Sequence, residues 1–86
     1  MQNLAGIEAE WHNTLQEQFE AKGRRMGLGR ALTDAEVSRA VGIPRTTVRF
    51  LRTTSTQKLP ATQALRFSLF FDVPVEKLYK LVRVKR

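Results

Sequence analysis

A chain of 86 residues, 42% of them hydrophobic, builds at most one small domain and is too apolar to be mainly disordered. With no cysteine and a single histidine, His12, it excludes a disulfide framework, a thiolate metal site and a zinc finger, and no cofactor is expected. The net charge of +7 and a pI near 10.9 suit a polyanionic partner.

The charge is unevenly spread. Residues 1–23 set Glu8, Glu10, Glu17 and Glu20 against Lys22, whereas residues 24–58 and 59–86 are both strongly basic. No apolar run approaches the roughly 20 residues that cross a bilayer, so no membrane partner is expected. Early acids without a long apolar stretch are unlike a secretion signal. The expected location is the cytoplasm, in association with the nucleoid.

In chain order, residues 4–22 predict an amphipathic helix. Leu4, Ile7, Trp11, Leu15 and Phe19 recur three or four apart with polar residues between them. Residues 23–31, with three glycines and three arginines, predict a flexible basic connector. Thr33-Asp-Ala-Glu36 is a capping box that starts a short helix over 34–41, with Val37 and Val41 inward beside the small Ser38 and Ala40. Gly42 closes it. Ile43-Pro44 leads into a second helix over 45–53, where proline's missing amide hydrogen costs nothing.

Pro60 opens a helix over 60–71, with Ala64, Leu65, Phe67, Ser68 and Phe71 as inward candidates. Pro74 opens a last helical segment through Leu78 and Leu81. The tail VRVKR alternates apolar and basic residues, as a short strand or a frayed end would. The expected architecture is all-α: a compact five-helix bundle forming one domain over residues 1–86, with its core at 32–81 and a basic tail at 82–86.

Two short helices that cross steeply need a small residue on the first, a glycine in the turn, and apolar residues that lock the pair. Counting from Asp34, these places hold Val37, Ser38, Val41, Gly42, Ile43, Val48 and Leu51. Residues 33–53 (TDAEVSRAVGIPRTTVRFLRT) resemble the phage Cro-like repressor family of helix-turn-helix domains. The likeness continues through residues 60–78, which are similar to that family's fourth and fifth helices. Ser38 stands where the family usually has alanine, and Pro44 where it usually has a serine cap.

The resemblance implies a sequence-specific regulator that lays helix 45–53 in the major groove of double-stranded DNA. At 100° per residue, Val48 and Leu51 mark the buried side of that helix, so the opposite side presents Arg45, Thr46, Arg49, Phe50 and Thr53. Arg45, Thr46 and Arg49 are the base-reading candidates, because arginine's planar fork matches the O6/N7 pair of guanine. Thr46 and Phe50 can meet a thymine methyl, although Phe50 equally suits packing against protein. Arg52 falls on a flank suited to phosphate, as do Thr54 and Lys58 in the polar stretch that follows. Arg24, Arg25 and Arg30 of the connector are minor-groove or phosphate candidates, or else a solvated linker.

The resemblance also implies a homodimer on a two-fold operator. Leu69 and Phe70 share a helix with inward residues, which leaves too many apolar side chains for one face; with Tyr79, Leu81, Val82 and Val84 they form the expected dimer patch or a wide buried helix face. The alternative function is an antitoxin whose acidic N-terminal segment binds a toxin; a protein antagonist is a related partner. Catalysis is not expected, since no paired carboxylates, Ser/His/Asp set or metal cluster can be assembled around one histidine and no cysteine. A phage or mobile-element origin rests on the family likeness alone.

Overall fold

The computed structural model describes residues 9–83. In chain order these form strand β1 (Ala9–Asn13), helix α1 (Leu15–Arg25), α2 (Asp34–Val41), α3 (Arg45–Thr53), α4 (Ala61–Phe71), a single 3₁₀ turn (Val75–Leu78) and strand β2 (Tyr79–Arg83). The expected all-α bundle is therefore wrong: four helices carry a two-stranded antiparallel sheet. Leu4, Ile7 and the rest of residues 1–8 lie outside the described residues, as does the tail from Val84.

The correction falls at both ends of the chain. β1 pairs with β2 in a register that sets Trp11 opposite Leu81 and His12 opposite Lys80. Trp11, expected to face inward from a helix, is 62% exposed on a strand. The helix begins only at Leu15, because Asn13 and Thr14 spend their hydrogen bonds on distant backbone. The Thr14 N–H donates to the Leu78 carbonyl and its hydroxyl to the Lys77 carbonyl, both at 2.7 Å. The last helical segment shrinks to one 3₁₀ turn. Tyr79, Leu81 and Val82 lie in β2 rather than on a helix face.

The connector is also not a free linker. α1 runs on to Arg25, with Gly23 buried inside it. The chain then folds back, the Leu28 and Leu32 N–H groups donating to the Gly23 and Phe19 carbonyls at 3.0 and 3.1 Å. Gly23 is needed there, since a Cβ would stand 2.0 Å from the Arg30 carbonyl oxygen.

The centre follows the local signals. α2 begins with the capping box: the Glu36 N–H donates to the Thr33 hydroxyl at 3.1 Å, and the Thr33 N–H to the Glu36 carboxylate at 2.9 Å. α2 ends at Gly42, in the left-handed region with φ 72°. One core unites all four helices, the 3₁₀ turn and the loop at Leu59: Leu15 and Phe19 of α1, Val37 and Val41 of α2, Ile43, Val48 and Leu51 around α3, and Phe67 and Phe71 of α4. The Phe19 and Phe71 rings meet at 5.7 Å and the Phe67 and Phe71 rings stack at 6.2 Å. Each such side chain contributes about 1.5–3 kcal/mol by leaving water. Leu65 and Ala40, expected inward, face solvent. Among the described residues, no helix is long and apolar enough to cross a membrane.

Candidate nucleic-acid interface

The α2–α3 pair is held at its turn by more than apolar contact. The Ser38 hydroxyl donates to the Ile43 carbonyl at 2.6 Å, which gives this small residue a bonding role besides its fit. Arg66 reaches from α4 to the Val41 and Gly42 carbonyls, both at 3.2 Å, and so caps the end of α2 with a positive charge. Pro44 is the N-cap of α3 and offers no side-chain bond.

With Val48 and Leu51 buried, α3 turns Arg45, Thr46, Arg49, Phe50 and Thr53 to solvent. All five residues expected on the outward side, the base-reading candidates among them, therefore share the exposed side of one packed helix. Arg45, Thr46 and Arg49 line a shallow groove of about 350 Å³ with Thr33, Asp34 and Ala35 at the start of α2. Among the described residues, neither Arg45 nor Arg49 makes a side-chain hydrogen bond or ion pair within the chain. Phe50 is 51% exposed. The Thr53 hydroxyl is turned back, donating to the Arg49 carbonyl at 2.7 Å.

The expected phosphate contacts divide. Arg52 is engaged inside the protein: its Nε and Nη2 clamp the Asp34 carboxylate at 2.7 and 2.9 Å, and its Nη1 donates to Gln16 at 2.7 Å. Its guanidinium also lies 5.7 Å from the centre of the Phe19 ring. This clamp holds the Asp34 carboxyl below its ordinary range, aided at longer reach by Arg49 and Arg45. Arg30 forks onto Glu36 at 2.8 and 3.2 Å. Arg25 donates to the Phe71 carbonyl at 3.0 Å, joining α1 to α4. Arg24 and Lys58 are exposed, and Thr54 is half-buried, its N–H donating to the Phe50 carbonyl.

The clamps shape the field. Asp34 and Glu36, the acids nearest the groove, are each neutralised by an arginine, so the outward charge of α3 is left positive.

The expected dimer patch is split. Leu69 on α4 is 83% exposed, while Phe70 packs edge-on against Phe71 at 5.0 Å beneath the Lys22 ammonium at 4.6 Å. On the strand, the Tyr79 hydroxyl is tied to the backbone of Leu59.

Two connections were not foreseen. Asn13, read as part of a polar helix face, is 5% exposed and bonds the loop after α3. No Ser/His/Asp set was expected, yet the structure aligns a related row. The His12 Nδ1 lies 2.8 Å from the Ser55 hydroxyl, and its Nε2 lies 3.0 Å from Glu10. The imidazole thus bridges β1 to the same loop. Comparisons of the chain with family models, curated proteins and solved structures found no match.

Proposed function

We propose that this chain is a sequence-specific, double-stranded DNA-binding transcriptional regulator of the phage-repressor type. It reads the major groove with α3 and acts as a homodimer on a two-fold operator. The observation that carries the reading is the outward face of α3: Arg45, Thr46 and Arg49 stand together on a helix whose other face is locked in the core. The nearby acids are already paired, so this face attracts phosphate and offers two arginine forks to base edges. The antitoxin alternative rests on the acidic, amphipathic segment over residues 1–23, of which Ala9–Asn13 form a strand and the residues from Leu15 a helix.

Footprinting on the DNA upstream of its own gene supplies a candidate site. On that site Arg49→Ala costs about 1–3 kcal/mol of binding and leaves non-cognate DNA nearly unaffected. Equal losses on both would mean that Arg49 reads no base. Each phosphate contact adds about −0.9 to the slope of log K against log salt, and a flat response removes DNA as the partner.

A further inference from the structure

We infer that the cleft between the sheet and the loop after α3 binds a small aromatic zwitterion, a free aromatic amino acid being the simplest. Its ring lies against Trp11 and Tyr79, its carboxylate meets Lys58 and its ammonium meets Glu76.

The strand register builds the aromatic wall. Trp11 faces Leu81 and Asn13 faces Tyr79 across the sheet, and residues two apart on a strand share a face. Trp11 and Tyr79 are therefore diagonal neighbours on one face, at a separation that aromatic side chains reach across. Thr56, Gln57 and Lys58 form the facing wall, and Glu76 of the 3₁₀ turn completes the rim. Together they bound about 530 Å³, more than the groove beside α3 and within the range of small-molecule sites.

Both walls are pinned before a ligand arrives. The Tyr79 hydroxyl accepts from the Leu59 N–H at 3.3 Å and donates to the Leu59 carbonyl at 3.4 Å. The Asn13 amide holds the Thr54 and Gln57 carbonyls, and the Gln57 N–H donates to the Thr54 carbonyl at 2.9 Å. Trp11 nevertheless stays 62% exposed, so its ring is available to a ligand. A surface set in advance loses little freedom when it binds.

The rim selects for charge. Lys58 and Glu76 are exposed, and among the described residues neither takes part in an ion pair. A ligand carrying only a negative charge would sit beside the Glu76 carboxylate, and one carrying only a positive charge beside the Lys58 ammonium. A ligand with both charges on a short stem answers each of them. Its ring then covers the apolar floor, where contact between aromatic rings adds to the gain from burial.

The cleft geometry carries this inference without the DNA reading, and the titration is run without DNA so that either can fail alone. Trp11 is the chain's single tryptophan, so its emission reports on the site directly. L-Phenylalanine, which does not absorb at the red edge of tryptophan excitation, changes that emission saturably with a Kd on the order of 0.1–1 mM. Phenylacetate, which lacks the ammonium, and phenethylamine, which lacks the carboxylate, each bind about five- to tenfold more weakly. Alanine, which lacks the ring, gives no saturable change. Lys58→Met weakens phenylalanine and phenylacetate by a similar factor and leaves phenethylamine no weaker; Glu76→Gln weakens phenylalanine and phenethylamine and spares phenylacetate. Thermal melts by circular dichroism verify that both variants are folded. No saturation by phenylalanine below about 10 mM, a singly charged analogue that binds as tightly, or both variants binding phenylalanine like the wild type overturns the inference.

Discussion

The side-chain amide of Asn13, at the end of β1, donates to the carbonyl of Leu51 in α3 at 2.9 Å. The same nitrogen reaches the Thr54 and Gln57 carbonyls at 3.4 and 3.3 Å, and the amide oxygen accepts from the Leu15 N–H at 3.2 Å. One buried side chain therefore satisfies carbonyls at the end of α3 and an N–H at the start of α1, groups that a helix leaves unpaired. The first prediction follows from this hub. Asn13→Ala loses about 1–3 kcal/mol in urea denaturation, the cost of leaving such groups buried and unpaired. Asn13→Asp loses more at neutral pH, because it sets a carboxylate against three carbonyl oxygens. A wild-type midpoint for the aspartate variant would show that the amide donor is idle.

The second prediction separates a clamp from a DNA contact. Arg52 is engaged with Asp34 and Gln16, and the Asp34 carboxylate is only 17% exposed. Arg52→Ala strands that carboxylate and costs about 1–3 kcal/mol of stability. Arg52→Lys recovers only part of it, since an ammonium cannot fork onto both oxygens. The salt dependence of DNA binding stays at the wild-type slope for the folded variant. A slope smaller by about 1, with stability unchanged, would restore Arg52 to the phosphate contacts.

What was legible in the sequence was local. The bounds of α2 and α3 follow from Thr33, Glu36, Gly42 and Pro44, each of which acts within a few residues of itself. The spacing Trp11, Leu15, Phe19 suits a helix, yet only Leu15 and Phe19 obey it. Trp11 instead pairs with Leu81 at the other end of the chain, and neither segment carries a local sign of the other. A helical wheel set Arg52 on a flank of α3 correctly, but the wheel says nothing of Asp34 waiting across the groove. Asn13 looked like one more solvated polar residue because its partners are carbonyls, which no sequence pattern announces.

Gly23 yields a third prediction, opposite in sign to what a flexible linker would give. In an exposed helix or loop, Gly→Ala usually stabilises by reducing the freedom of the unfolded chain. Here the added methyl meets the Arg30 carbonyl oxygen at 2.0 Å and backbone atoms of Ala31 and Arg30 at 3.0 Å, none of which a side-chain rotation can move. Gly23→Ala therefore destabilises, by about 1–3 kcal/mol as for other overpacked sites. Gly27→Ala, which finds open space but has φ 72°, isolates the smaller cost of a left-handed backbone. Thermal melts that rank Gly23→Ala above Gly27→Ala would refute the packing of the 26–32 turn on α1.

Acid weakens the start of α2, and the responsible carboxylates are named by their partners. The Arg30 fork, and after it the Thr33 N–H, hold the Glu36 carboxyl down to about 2 from an ordinary 4.5. Asp34 is lowered as well, chiefly by its bonds to Arg52. A carboxyl with a depressed folded-state pKa contributes its stability above the unfolded value. For Glu36 that share is complete at neutral pH and is lost as the pH falls from about 4.5 through about 2. In Glu36→Gln the amide oxygen still accepts from the Thr33 N–H, so the capping box is kept while the ion pair is removed. The expected result is a lower urea midpoint for this variant at pH 7, and a smaller further loss than the wild type on acidification. The acid sensitivity that remains belongs to Asp34 and the other carboxylates. Parallel curves for the two proteins would mean that Glu36 titrates in the folded state as it does in the unfolded chain.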